Sequence, residues 1–349
     1  MTVVVLVTVV ILLCLVFTYT NGFQDGSSVA ASALASRAMS PLQAILLVSA
    51  FEMMGAFLGG SAVSTTIRGI TSWPDRVDLL PVLASGLIAA IAWNFITRFL
   101  KLPSSSTHAL VGGIVGSLYA AGGTRYIVWG SPADLVHPTG IWKVVLTLFV
   151  SPLAGVVAGF VVLCVLRFLL LSATMKVNRP LKTLQWMATG MLAFGHGAND
   201  PQKSMAIIML SLHAAGWHAS ADIPPYVRLA AGLAMACGVA SLAPQIVRRV
   251  GGGIYKMRVL HGLSAELASA AVVLTGSLTG GPVSASQVVS SSVMGVGSAH
   301  RIKGVHWVVA KEMFLAWFLT LPCSALFAWM LHLCAFQWLD QCLHQGVLP

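Results

Sequence analysis

The stretch GHGANDPQKSM (195–205) places amide, carboxylate, ammonium and hydroxyl groups inside a strongly apolar part of the chain. It is preceded by LQWMATGMLAF (184–194) and followed by AIIMLSL (206–212). A soluble protein keeps such a cluster at a surface turn, because buried polar groups without partners destabilise a fold. The interpretation of this cluster therefore depends on the solvent that surrounds the chain.

The composition indicates an integral membrane protein. Of 349 residues, 57% are hydrophobic and only 9% are charged, whereas about a quarter of the residues of a soluble domain are charged. Runs such as 2–19 and 140–171 are long enough to cross a bilayer as helices, which takes about 20 apolar residues. No Lys or Arg precedes Arg37, so the first run lacks the positive start of a signal peptide and is interpreted as a retained span.

Several other classes of function are disfavoured by the sequence. The net charge of +10 is spread through loops between apolar runs, which fits membrane topology better than nucleic-acid binding. The six cysteines show no CxxC spacing and lie mostly in apolar runs, which is typical of small buried side chains. The phosphate-loop pattern GxxxxGK[ST] is absent, so that ATP-driven function would need another subunit.

The apolar runs predict six full spans and two re-entrant helical hairpins. The spans are expected near 2–20, 41–60, 141–167, 184–212, 226–247 and 311–336. Two other regions, 80–122 and 259–297, each hold two apolar stretches joined by Pro and hydroxyl residues, and neither stretch is comfortably long for a span. Turns at membrane depth are tolerated only where they face protein or a watery cavity, so the tips of these hairpins should face a site.

Two motif pairs predict an inverted repeat. FQDGSS around Asp25 is matched by ANDPQK around Asp200, 175 residues later, and PSSSTH from Pro103 is matched by PVSASQ from Pro282, 179 residues later. Inverted repeats with broken helices place a substrate site where the repeats meet. We therefore predict an all-α protein of two inverted repeats, each with three transmembrane helices and one re-entrant hairpin.

The predicted organisation has three parts and a defined orientation. The parts are a first repeat over 1–172 with its hairpin at about 80–122, a short cytoplasmic linker over 173–182, and a second repeat over 183–349 with its hairpin at about 259–297. With both termini outside, most loop Lys and Arg residues are cytoplasmic, as the positive-inside rule expects. A bacterial inner membrane is the expected location.

Two carboxylates inside apolar runs are the strongest functional candidates. A charge at mid-membrane is costly and is a functional hypothesis by default. Glycines flank Asp25, and Asn199 and Pro201 flank Asp200, so both helices are expected to unwind there and free carbonyl oxygens for a small cation. A buried ion pair, for instance of Asp200 with Lys203, remains the alternative.

The hydroxyl-rich hairpin tips are candidates for anion binding. The residues concerned are Ser104, Ser105, Ser106 and Thr107 in the first tip and Ser284, Ser286 and Gln287 in the second. A helix N-terminus with hydroxyl donors is a ready anion site. The alternative is that these side chains only cap their helices, but a matched pair of tips favours a shared site.

His108 and Glu266 are candidates for a proton or cation path, and each could equally be held by a neighbouring polar group.

Two other classes of protein, an intramembrane enzyme and a channel, are less favoured by the sequence than a transporter. An intramembrane enzyme with a tip serine and His108 as base would need a third, orienting group, and the second tip has Gln287 in place of the histidine. A channel would favour a continuous pore over paired tips.

These motifs resemble the PiT family of inorganic phosphate transporters. NGFQDGSSVAASALASRAMSP (21–41) is similar to the first signature of that family, and FGHGANDPQKSMAI (194–207) is similar to the second. The hairpin regions are matched by LPSSSTHALVGGIVG (102–116), LHGLSAELAS (260–269) and GPVSASQVVSSSVMGVGSAHRIKGVHW (281–307). The resemblance implies cation-coupled phosphate uptake by alternating access, with no cofactor and no catalytic residue.

The resemblance also implies roles for particular residues. The coupling cation, Na⁺ or H⁺, would be bound by Asp25, Asp200, Asn199 and Gln24. The tip residues, together with Gln202, would bind the substrate. Departures from the family pattern at Gln24, Ser28 and Gln287 leave the coupling ion open, as well as the choice between phosphate, a metal-phosphate and sulfate. Membrane lipids are the other expected partners, and a homodimer is open.

Overall fold

A computed structural model describes residues 2–74, 78–100, 104–134, 137–218, 220 and 222–344. Within these ranges the chain is helical, and its only β-structure is an isolated bridge between Thr71 and Ile127. The α-helices, in chain order, are α1 (Thr2–Ala35), α2 (Pro41–Leu58), α3 (Ala62–Arg68), α4 (Leu79–Phe99), α5 (Ser106–Gly122), α6 (Gly140–Leu169), α7 (Asn178–Gly197), α8 (Pro201–Ala214), α9 (Pro225–Ala240), α10 (Pro244–Arg248), α11 (Val259–Thr279), α12 (Ala285–Arg301) and α13 (Trp307–His344). The prediction of an all-α chain is confirmed.

Six of these helices are long and apolar enough to cross a membrane, namely α1, α2, α4, α6, α11 and α13. A seventh span arises if α9 is joined to the segment Pro244–Gly253, from which it is bent by 70°. Apolar side chains such as Leu153 and Phe318 are exposed on these helices, at 64% and 68%, as a lipid-facing surface requires. The chain is a multi-pass membrane protein.

Two sequence-based expectations about the spans are wrong. The predicted span at 184–212 is divided between α7 and α8. Neither of these helices is by itself both long enough and apolar enough to cross a membrane. Conversely, α4 and α11 have 21 residues each and are long enough to span. Polar residues within them do not interrupt the helix because protein groups satisfy them: Asn94, for example, donates to Thr20 Oγ1 at 3.0 Å.

The two halves of the chain present a similar order of helices, in which α7 and α8 together take the place of α1. The helices of the hairpins match in length, with 21 residues in both α4 and α11 and 17 residues in both α5 and α12. The packing is exchanged between the halves: α5 packs on α13, and α12 packs on α6. In the same way α1 packs on α9, and α2 packs on α7. The core is therefore shared by both halves.

Glycines allow two of these helix pairs to approach closely. A Cβ atom on Gly22 would lie 2.4 Å from the carbonyl oxygen of Met235, and one on Gly197 would lie 2.0 Å from the carbonyl oxygen of Glu52. Only glycine permits backbones to come this near. The first contact holds α1 against α9, and the second holds α7 against α2. Gly22 lies in the signature segment 21–41 and Gly197 lies in the signature segment 194–207. The two contacts thereby bring these polar segments to the centre of the protein.

Candidate functional site

The signature around Asp200 folds as a break between α7 and α8. The backbone N–H groups of Asn199 and Asp200 both donate to the carbonyl oxygen of His196, at 3.0 and 2.9 Å, and Pro201 then begins α8. Proline has no N–H and clashes with the carbonyl group four residues earlier, so it ends α7 here. Asn199 and Asp200 are 0% and 1% exposed and lie at the N-terminal end of α8.

The helix that carries Asp25 does not break, which corrects the expectation of freed carbonyl groups there. α1 continues from Thr2 to Ala35. Gly26 stands at the position that matches Pro201, and it keeps the N–H group that a helix needs. Every residue from 20 to 33 is buried, so this stretch of α1 lies inside the protein.

The carboxylate of Asp25 is bound by the first hairpin tip. Ser106 Oγ donates to Asp25 Oδ2 at 2.5 Å and lies 3.0 Å from Asn21 Oδ1. Asp25 is fully buried, and among the residues that the structure describes its Oδ1 atom has no hydrogen-bond partner. It also forms no ion pair with them. A buried carboxylate oxygen without a partner is costly, which makes it a candidate ligand for a cation.

The carboxylate of Asp200 is surrounded by donors. Its Oδ1 atom accepts a hydrogen bond from Lys203 Nζ at 2.7 Å, and its Oδ2 atom accepts one from Asn21 Nδ2 at 2.9 Å. His196 Nε2 lies 3.2 Å from the same Oδ2, and His196 Nδ1 lies 2.7 Å from Glu52 Oε1. The buried ion pair between Asp200 and Lys203, weighed above as the alternative to a cation site, is therefore present.

Asp25, His196 and Asp200 converge closely enough to share a small cation. Each offers one ligand atom, and these atoms lie within 4.8 Å of one another. Carboxylate oxygens are suitable ligands for hard cations. The buried Gln24 Oε1 and Asn199 Oδ1 atoms, predicted to belong to the same site, also have no hydrogen-bond partner within the described ranges.

The two hairpin tips meet at the centre of the protein. Thr107 Oγ1 donates to the carbonyl oxygen of Val283 at 3.3 Å, and Ser286 Oγ donates to the carbonyl oxygen of Ser104 at 3.2 Å. In the alignment of the two tips, Thr107 matches Ser286 and Ser104 matches Val283, so that these two bonds are equivalent. All four residues are at most 1% exposed. The two tips are therefore joined by two equivalent hydrogen bonds, one donated by each tip.

His108 and Gln287, which match each other in the two tips, are also in contact. Gln287 Nε2 lies 3.4 Å from His108 Nδ1. The two side chains border an apolar cavity of about 610 Å³ between α6 and α13. The imidazole forms no hydrogen bond with a tip serine in the part of the chain described.

The remaining tip serines differ in what they do. Ser104 Oγ accepts a hydrogen bond from Gln24 Nε2 at 2.7 Å, which joins the tip to α1. Ser105 caps α5 by accepting from the backbone N–H of His108 at 3.2 Å, so the capping alternative holds for this residue. Ser284 Oγ lies 3.3 Å from Ser286 Oγ.

Gln202 forms its hydrogen bonds with groups outside the two tips, and its part in binding the substrate stays a prediction. Its amide oxygen accepts from the backbone N–H of Ser64 at 3.1 Å, and its amide nitrogen donates to the carbonyl oxygens of Gly59 and Ala198 at 2.9 and 2.7 Å. These three bonds hold the segment between α2 and α3. By contrast, Asn199 Nδ2 donates to the carbonyl oxygen of Gly281 at 3.0 Å and thereby anchors the second tip.

Glu266 belongs to a separate polar cluster. Gln185 Nε2 donates to its Oε1 at 3.2 Å, and Thr189 Oγ1 donates to its Oε2 at 2.9 Å. Ser277, also on α11, accepts a hydrogen bond from the Asn199 amide. At about 1.5 Å per residue along a helix, Glu266 lies about 16 Å before Ser277. Its part in a proton or cation path stays a prediction.

Four residues of the centre were absent from the predicted set: Asn21, Glu52, His196 and Lys203. Two of them carried a usable signal, because Asn21 precedes His196 by the same 175 residues that separate Asp25 from Asp200. Glu52 carried none beyond its position in an apolar run, since only the packing of α2 on α7 brings it to His196.

Paired hairpin tips over a buried polar centre in a multi-pass membrane protein are the architecture of a membrane transporter. Residues 21–328 match the model of the phosphate transporter family. The chain belongs to this family, which confirms the resemblance seen in its motifs.

Curated relatives cover nearly the whole chain. A protein of Bacillus subtilis named probable low-affinity inorganic phosphate transporter is 34% identical over 328 residues, covering 93% of this chain and 96% of the relative. A protein of Rhizobium meliloti with the same name is 30% identical over 319 residues, covering 90% and 92%. Among solved structures, one described as the sodium-dependent phosphate transporter matches with a TM-score of 0.83 at 23% identity, covering 97% of this chain and 100% of that one. That match shows a common fold.

Proposed function

We propose that this protein takes up inorganic phosphate together with a coupling cation, Na⁺ or H⁺, by alternating access between two inverted repeats. One observation carries the proposal. Ser106, on a hairpin tip, donates a hydrogen bond to the buried carboxylate of Asp25 at 2.5 Å. The candidate substrate tip and the candidate cation site are therefore in direct contact, which gives a physical route for coupling the binding of the two ligands.

The tips suit an anion that must be released again. Hydroxyl groups of Ser104, Ser106, Thr107 and Ser286 lie at the centre. Neutral donors orient an oxyanion without the strong attraction of several buried cations. Thr107 and Ser286 now donate to carbonyl oxygens and Ser104 donates to the Thr97 hydroxyl, and each such neutral bond contributes about 1 kcal/mol. The bond from Ser106 to the Asp25 carboxylate contributes about 1.5–3 kcal/mol. A bound oxyanion can replace these bonds at little cost, and the tips can separate when it leaves.

An acceptor on the second tip favours phosphate over sulfate. Gln287 Oε1 is buried and, in the described part of the chain, accepts no hydrogen bond. Phosphate keeps at least one proton near neutral pH and can donate it to this oxygen. Sulfate is fully deprotonated and can only accept, so the same oxygen would repel it.

The exchanged packing of the halves supports the alternating mechanism. Each hairpin packs on the last helix of the other half, and the tips form two equivalent hydrogen bonds with each other. The centre is closed, since Asp25, Thr107 and Lys203 are fully buried. A movement of the group formed by α4, α5 and α13 against the group formed by α6, α11 and α12 would keep this packing and break one side of the closure while preserving the other.

Uptake of radiolabelled phosphate into proteoliposomes tests the proposal. We expect uptake driven by an imposed Na⁺ gradient or by an imposed pH gradient, and resistance of that uptake to excess unlabelled sulfate. Liposomes without protein are the first control, and Asp25→Asn, which keeps the size of the side chain, is the second. Absence of driven uptake under both gradients would refute the proposal, and strong inhibition by sulfate would refute the choice of substrate.

A further inference from the structure

We propose that Lys203 serves as a built-in cation at Asp200, so that each transport cycle needs one coupling cation, bound at Asp25, in place of two. This inference rests on the proposed function. It explains why two equivalent carboxylates at one centre have different surroundings.

The alignment of the two halves exposes the difference. The offset that matches Asp25 with Asp200 also matches Ser28 with Lys203. A strictly equivalent pair of sites would bind two cations, one at each carboxylate. The second half instead carries a permanent charge where the first half has only a hydroxyl group.

The ammonium group of Lys203 occupies the position that a small cation would take. Its Nζ atom lies 2.7 Å from Asp200 Oδ1, 2.5 Å from Thr107 Oγ1 and 2.9 Å from the carbonyl oxygen of Val283. A carboxylate, a hydroxyl and a carbonyl oxygen form the kind of ligand set that hard cations prefer. An ammonium has three hydrogens to donate, and these three partners use all of them. The oxygens come from α8 and from both hairpin tips.

The first half leaves the matching position without a positive charge. Ser28 Oγ and Asp25 Oδ1 are buried and have no hydrogen-bond partner among the described residues. Residues three apart are neighbours on one face of a helix, so both side chains belong to the same side of α1. The Asp25 carboxylate therefore still requires a cation when it is ionised, whereas the Asp200 carboxylate already has one.

Burial explains why Lys203 can take the place of a free ion at Asp200. Lys203 is 0% exposed, and a buried ammonium without its carboxylate is strongly destabilising. Lys203 therefore stays with Asp200 and excludes a second ion of the same charge. It also contributes a fixed positive charge beside the Thr107 hydroxyl group of the first tip.

The number of coupling ions can be measured directly. At zero membrane potential, the equilibrium accumulation ratio of phosphate rises as the nth power of the imposed ion gradient, where n is the number of ions per phosphate. We expect n of one for the wild type and for Lys203→Arg, which keeps the charge. We expect n of two for Lys203→Ser, which gives the second half the residue of the first.

The outcomes separate the two proposals. A wild type that shows no driven uptake contradicts the proposed function. A wild type with driven uptake and n of two overturns the present inference alone, as does n of one in a transporting Lys203→Ser variant. If that variant is folded but does not transport, ion binding decides. With saturating phosphate it should bind one more ion than the wild type, counted with radioactive Na⁺ or, where H⁺ drives uptake, by proton consumption. An equal count overturns the inference.

Discussion

Replacing Gly197 with alanine should damage both the stability and the activity of the protein. The new Cβ would lie 2.0 Å from the carbonyl oxygen of Glu52 and 2.5 Å from its Cα atom. These are backbone atoms of α2, which cannot rotate away. Overpacking costs about 1–3 kcal/mol where side chains can adjust, so the upper end of that range, about 3 kcal/mol, applies here. Because Gly197 adjoins His196, the strain acts directly on the polar centre.

A matched control lies on the same helix. Gly190→Ala would place its Cβ 3.3 Å from two ring carbons of Phe51, a half-buried side chain that can shift. Alanine also has a helix propensity about 1 kcal/mol better than that of glycine, so this change should be nearly neutral.

Thermal unfolding in detergent and phosphate uptake measure the difference between the two variants. With about 2 cal/mol/K of unfolding entropy per residue, a loss of about 3 kcal/mol lowers the midpoint by about 4 °C for a chain of this length. The shift is larger if helices persist in the unfolded state, because the entropy is then smaller. If Gly197→Ala melts and transports like Gly190→Ala, α2 and α7 are not as close as the structure places them.

Three other predictions test separate parts of the structure. Asp200→Asn should abolish coupled uptake and lower the unfolding midpoint, because losing one partner of a buried ion pair costs about 3–5 kcal/mol. Adding Lys203→Met to this variant should restore part of the midpoint but not the uptake. A midpoint unchanged by Asp200→Asn alone would argue against the ion pair. Gln202→Ala should lower the unfolding midpoint and leave the phosphate KM unchanged, since its amide holds the segment before α3; a raised KM with an unchanged midpoint would return this residue to the substrate site. In a protein lacking its native cysteines, Gly252→Cys should resist a membrane-impermeant thiol reagent applied from outside, whereas Ser220→Cys should react, and reversed labelling would refute the inverted orientation. The label is placed at exposed Ser220 because the neighbouring Ala219 lies outside the described residues.

The sequence predicts most helices because apolar length alone identifies them. The runs that became α6 and α13 are continuous, and lipid is the only solvent that suits them. The division of 184–212 was less visible, although Pro201 marks it, because the residues on both sides remain apolar. At Asp25 the opposite error arose: Gly26 was treated as a helix breaker, but a buried helix with a complete hydrogen-bond ladder tolerates glycine.

Helical periodicity distinguishes the positions of Gln202 and Lys203 relative to Asp200. Gln202 follows Asp200 by two residues, about 200° around a helix of 3.6 residues per turn, so the two side chains point to opposite faces. Lys203 follows by three residues and lies on the same face as Asp200. Periodicity thus selects the lysine. The partners Thr107 and Val283 could not be predicted, because they depend on how the two hairpins meet.

The exchanged packing of the hairpins has a consequence for the biogenesis of the protein. The main partner of α5 is α13, which is synthesised about 200 residues later. At a translation rate of about 5–20 residues per second, that delay is about 10–40 s. During this interval the glycine-rich face of α5, where Gly112 and Gly116 later contact the backbone of α13, has no protein surface to pack on. The nascent chain must therefore hold a half-finished hairpin in the bilayer, or beside the insertion machinery, until its last helix arrives.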